Sequence, residues 1–80
     1  MKTKKCNTII KINQRTSCKK NIGIGIMDGF LFEGYEYDTT DFKIGKKTIT
    51  FSLFDEEGWI GDYSILRSDF DEKCVIILNK

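Results

Sequence analysis

Residues 48–66 read Thr48-Ile49-Thr50-Phe51-Ser52-Leu53-Phe54-Asp55-Glu56-Glu57-Gly58-Trp59-Ile60-Gly61-Asp62-Tyr63-Ser64-Ile65-Leu66. The first seven alternate, with Ile49, Phe51 and Leu53 on one side and hydroxyl residues on the other, which is the period of a half-buried strand. Asp55-Glu56-Glu57-Gly58 suits a four-residue hairpin loop into Trp59. The stretch that follows fits two periods. Trp59, Tyr63, Leu66 and Phe70 are spaced 4, 3 and 4 residues apart, one stripe of a helix. Against the helix, Gly58 and Gly61 would each cost it about 1 kcal/mol relative to Ala, and Ile60, Tyr63 and Ile65 are mediocre helix formers. A strand from Gly58 to Leu66 is therefore expected, followed by an acidic turn.

Working outward, Gly45-Lys46 suits a II′ turn joining a short strand at 41–44 to the strand at Thr48. Met27-Asp28-Gly29-Phe30 carries the Asp-Gly pair favoured where both central residues of a hairpin need positive φ. That turn would oppose 26 with 31, 24 with 33 and 22 with 35. One face would then hold Ile22, Ile24, Ile26, Leu31 and Tyr35, interrupted by Glu33, and the other the glycines with Met27, Phe30 and Phe32. Cys6 to Ile12 reads as a first strand and Asn13 to Lys20 as its basic loop. Cys74 to Leu78 is apolar throughout, as expected of a strand covered on both faces. The expected core is Ile22, Ile24, Ile26, Leu31, Ile49, Phe51, Leu53, Ile76 and Leu78.

The chain has 80 residues, 40% hydrophobic and 31% charged, with net charge +1. A chain this short buries only ~60% of the surface it exposes unfolded, so one domain over 1–80 is expected. The fold class follows: an all-β antiparallel meander or small barrel, SH3-like or OB-like, of six or seven strands. The alternative is an α+β domain with a helix near 56–70. The longest apolar run is five residues, Cys74 to Leu78, against roughly 20 for a membrane-spanning helix. The start, MKTKKCNTIIKINQR, lacks the apolar stretch of about 7 to 15 residues of a signal peptide. A cytoplasmic setting is expected.

Composition removes whole classes of chemistry. With no His, imidazole acid–base catalysis, His metal ligation and His-activated nucleophiles are excluded. No Pro and no Ala, with Lys outnumbering Arg 11 to 2, favour AT-rich codons, those of a low-GC bacterium or its phages. Cys6, Cys18 and Cys74 are an odd number with no C-x-x-C spacing, so neither a complete disulfide framework nor a zinc site is indicated. Cys74 reads as a core residue, while lysines around Cys6 and Cys18 would favour a thiolate. The run from Gly23 to Gly29, GIGIMDG, puts its third glycine one position late for a dinucleotide fingerprint. Asp69-Phe70-Asp71-Glu72 lacks the spacing and turn glycine of a calcium loop. No catalytic residue, cofactor or metal is expected, and the protein is read as no enzyme.

Binding remains. Residues 1–20 carry seven bases and no acid, so residues 21–80 sum to −6. In the first reading the acids Glu33, Glu36, Asp38, Asp41, Asp55, Glu56 and Glu57 dock on a basic groove of a nucleic-acid-handling protein. Small size, low-GC coding, no catalytic groups and an acidic surface are the general profile of phage-encoded inhibitors of host nucleases or defence complexes, anti-CRISPR proteins among them. The expectation is a stoichiometric inhibitor or adaptor. The alternative is a nucleic-acid binder in which Lys11, Arg15, Lys19 and Lys20 track phosphates while Tyr35 and Tyr37 stack bases. A pI near 7.6 gives that alternative a small electrostatic footprint.

Overall fold

The computed structural model describes residues 7–79. The seven strands are β1 (Thr8–Ile12), β2 (Thr16–Asn21), β3 (Ile26–Leu31), β4 (Glu36–Ile44), β5 (Thr48–Asp55), β6 (Gly58–Leu66) and β7 (Cys74–Asn79); one short helix, α1 (Arg67–Lys73), precedes β7. All pair antiparallel in one sheet of order β3-β2-β6-β5-β4-β1-β7. The all-β class expected from the alternation is the class observed.

Its centre is the stretch that alternates best. β5 and β6 pair from Thr48–Leu66 to Asp55–Gly58, and Ile49, Phe51, Leu53, Tyr63 and Ile65 are buried. The loop is tighter than the four residues expected. Only Glu56 and Glu57 lie between the strands, Gly58 takes φ 122°, and the Asp55 carboxylate accepts the Glu57 N–H at 2.8 Å. The β4–β5 hairpin also falls where expected, turning over Lys46 and Lys47 with Gly45 N–H donating to the Thr48 carbonyl at 2.8 Å. It is not a II′ turn, because Gly45 does not take the positive φ that turn requires.

Rings carry the core from one end to the other. Phe51 and Tyr63 stack with centroids 5.7 Å apart, Phe42 lies 6.3 Å from Phe51, and Phe70 of α1 lies 6.0 Å from Phe42. Ile10 and Ile12 of β1 complete it at 0% exposure. The acidic turn expected after Leu66 is instead α1. Residues 67–73 contain no glycine or β-branched residue, Asp69 and Lys73 sit at the ends the helix dipole favours, and Phe70 is buried. The helix expected in the α+β alternative is absent from 58–66, which form β6.

Three further expectations fail together around β2 and β3. Residues 16–21, read as part of a basic loop, form β2, and its partner β3 runs straight through Asp28 and Gly29, opposite Lys19 and Cys18. The chain turns at 22–25 instead. Gly23 has φ 100°, its N–H bonds the Asn21 side-chain oxygen at 2.9 Å, and Ile22 N–H reaches the Gly25 carbonyl at 3.4 Å. Ile24 and Ile26 are therefore 90% and 71% exposed, Tyr35 is exposed and Ile22 half-buried; of that face only Leu31 belongs to the core. At the other end, β7 is an edge strand rather than one covered on both faces: Cys74 is buried, Ile76 packs on the core, and Val75, Ile77 and Leu78 are exposed. The first strand begins at Thr8, and Cys6 lies outside the described residues. No helix among the described residues is long and apolar enough to cross a membrane.

Candidate functional site

β4 changes partners along its length, and that change makes the site. Its first half pairs with β1, setting Glu36 opposite Lys11 and Asp38 opposite Ile9. Its second half pairs with β5, with a register shift between Thr40 and Lys43. Beyond the Thr40–Ser52 pair, β5 continues with β6 and no longer with β4. A groove of about 360 Å³ opens between them, walled by Glu36, Tyr37, Asp38 and Thr40 on β4 and by Leu53, Phe54 and Ile60 on the β5–β6 hairpin. The tip of that hairpin carries Asp55, Glu56 and Glu57, all exposed. Of the seven acids singled out in the sequence, Glu36 and Asp38 thus line the groove, and Asp55, Glu56 and Glu57 sit at the tip of the hairpin that forms its other wall.

The other two acids lie elsewhere. Glu33 is exposed in the connection between β3 and β4, which is tied to the end of β1 by Gly34 N–H to the Ile12 carbonyl at 2.8 Å. Asp41 sits at the β4 irregularity with φ 52°, lining a second cleft of about 340 Å³ together with Lys19, Lys43 and Asp62. Of the groove residues, Tyr37 is the one expected from sequence, as a base-stacking ring; Thr40, Leu53, Phe54 and Ile60 were not legible as a site. Their only local signal is the apolar Phe54 abutting the acidic tip, because the groove arises from the splitting of two strands.

The basic side chains of the alternative are dispersed, and three of the four have an intramolecular contact. Lys19 and Lys20 are neighbours in β2 and so point to opposite faces. Lys19 forms an ion pair with Asp28, whereas the Lys20 ammonium lies over the Tyr63 ring at 5.6 Å. The Arg15 guanidinium stands 5.0 Å from the Phe30 ring centre, and Lys11 faces Glu36 across the β1–β4 pair. Tyr35 and Tyr37 have ring centroids 6.2 Å apart. Burial pushes the Tyr37 hydroxyl above its ordinary pKa.

Neither described cysteine has the environment of a nucleophile. Cys18 and Cys74 are buried, and that burial raises both thiols above their ordinary 9.0; Lys20 beside Cys18 and the Thr16 hydroxyl 3.6 Å from the Cys74 sulfur only partly offset it. The lysine-rich surroundings that suggested a Cys18 thiolate are thus outweighed by desolvation. The sign of the pH effect follows: a folded-state pKa raised above 9.0 contributes stability that is whole below 9.0 and is lost as pH rises through the folded value. Urea unfolding should show a constant midpoint near neutral pH and a falling one in alkali, and Cys18→Ser/Cys74→Ser should flatten that fall.

Among the described residues no group of three or more Cys, Asp and Glu side chains is placed to hold a metal ion. Comparison with known proteins finds no family model, no curated protein and no solved structure that matches this chain.

Proposed function

We propose that this is a non-enzymatic protein-binding module, a stoichiometric inhibitor or adaptor whose acidic surface docks on a basic groove of a nucleic-acid-handling protein. The observation that carries this reading is that Glu36 and Asp38 line one groove with Leu53, Phe54 and Ile60, residues of the same hairpin whose tip carries Asp55, Glu56 and Glu57. Carboxylates beside an apolar floor suit a partner that is itself basic, since charge complementarity steers encounter and the buried floor holds the complex. A surface of this sign competes for the same partner face as a phosphate backbone. A phage-encoded inhibitor of a host defence complex is the biological setting this reading favours.

The nucleic-acid alternative receives less support from the same surface. Lys19, Lys20 and Arg15 are engaged with Asp28, Tyr63 and Phe30, and releasing them to phosphates would forfeit those contacts. The test is a pair of titrations of the whole protein, one against an arginine-rich peptide and one against a single-stranded oligonucleotide. Peptide association that slows by about tenfold in Glu36→Lys/Asp38→Lys, with the melting midpoint unchanged, is the expected result. Salt-sensitive oligonucleotide binding that vanishes on reversing Arg15, Lys19 and Lys20 would replace this reading with the alternative.

A further inference from the structure

We propose that the groove between β4 and the β5–β6 hairpin is a slot for a single arginine side chain of the partner, an inference that rests on the protein-binding reading and names the residue recognised. Two independent features meet there. Glu36 and Asp38 supply carboxylates, and Thr40, only 5% exposed, has a buried hydroxyl oxygen with no hydrogen-bond partner among the described residues. Thr39 beside it shows what such a hydroxyl ordinarily does here, donating to the Thr8 carbonyl at 2.8 Å. A buried hydroxyl left unpaired costs free energy, which a ligand donor reaching it recovers.

The chemistry of the walls selects the ligand. The carboxylates only accept and the hydroxyl oxygen can accept as well as donate, so a donor is the incoming group that all three can meet. Phe54 and Ile60 present an aromatic ring and an aliphatic chain, suited to a long apolar stem. A guanidinium meets both demands: it is planar, carries five N–H donors in fixed directions, stacks on rings and is weakly hydrated. An ammonium is a point charge that keeps its water more tightly, and it cannot address several acceptors in one plane. Arginine is therefore the expected anchor and lysine a poor substitute.

The experiment follows backbone amide shifts of the whole protein on titration with three capped tripeptides, glycine-X-glycine, in which X is arginine, lysine or citrulline. Saturable shifts at Thr40, Phe54 and Ile60 with the arginine peptide, at least about fivefold tighter than with lysine and absent with uncharged citrulline, are expected. Thr40→Val removes the hydroxyl and keeps the shape. It should weaken the arginine peptide by about tenfold while melting no lower than the parent, which separates loss of a contact from loss of fold. Shifts confined to the Asp55–Glu57 tip, or equal response to lysine, would overturn the slot and leave the acidic docking surface standing. Tight association with the longer arginine-rich peptide that is indifferent to Glu36→Lys/Asp38→Lys would remove both.

Discussion

Phe51→Ala should lower the free energy of unfolding by about 3–5 kcal/mol, the range for deleting a buried phenylalanine, and the variant should be largely unfolded at temperatures where the parent is native. Phe51 is 2% exposed, stacks on Tyr63 at 5.7 Å and approaches Phe42 at 6.3 Å, and Phe42 in turn meets Phe70. It is the ring through which β4, β5, β6 and α1 share one core. A domain of this size has a total stability of only about 5–15 kcal/mol, so one such cavity removes a large fraction of it. Thermal and urea unfolding followed by circular dichroism give the measurement. A native-like midpoint would show that the interior collapses around the vacancy and that the ring stack contributes little.

Asp62→Ala should be the next most damaging change, by at least about 1.5–3 kcal/mol, the usual worth of a hydrogen bond to a charged group. One oxygen of the Asp62 carboxylate accepts from the Ser52 hydroxyl at 2.6 Å and from the Trp59 indole N–H at 2.9 Å. Ser52 is 2% exposed, so removing its acceptor leaves a buried donor without its protein partner. Asp62→Asn keeps an oxygen that accepts both bonds and should recover part of the loss. If alanine and asparagine variants unfold alike, the charge and not the acceptor geometry sets the contribution. If both match the parent, the network is ornamental to stability. The indole also gives a direct readout, because its fluorescence should shift when the Asp62 bond is lost.

The outcomes at two Gly-containing stretches show how far local reading carries. Glu57-Gly58 lies where β6 begins, between stretches that pair along their whole length, and the hairpin forms there. Asp28-Gly29 has the better turn chemistry of the two, yet it lies mid-strand, because β2 pairs along the whole of β3 from Leu31 to Ile26 and six backbone pairings outweigh one turn preference. A Cβ at Gly29 would stand 3.5 Å from the Cys18 sulfur, an ordinary van der Waals contact, so mid-strand the glycine is used for neither a turn nor a close approach. The apolar run Ile22-Ile24-Ile26 misled for the same reason. Alternation reports which face a residue shares with its neighbours, and says nothing of whether anything covers that face; at the sheet edge, none of the described residues covers Ile24 or Ile26.

What the sequence determined by itself is the period of β5 and β6, the position of their hairpin, the burial of Ile49, Phe51 and Leu53, and the absence of imidazole chemistry. These are properties of residues near one another in the chain, where side-chain alternation and backbone preference act directly. Tertiary structure alone decided that α1 closes the core through Phe70, that Arg15, Lys19 and Lys20 are each engaged within the molecule, and that Glu36 and Asp38 wall a groove with Phe54 and Ile60. The groove exists because β4 leaves β5 to pair with β1, a choice made by competition among strands far apart in sequence. No local pattern encodes it, since the same half-strand can satisfy its backbone hydrogen bonds against either neighbour and only the packing of the whole core selects between them.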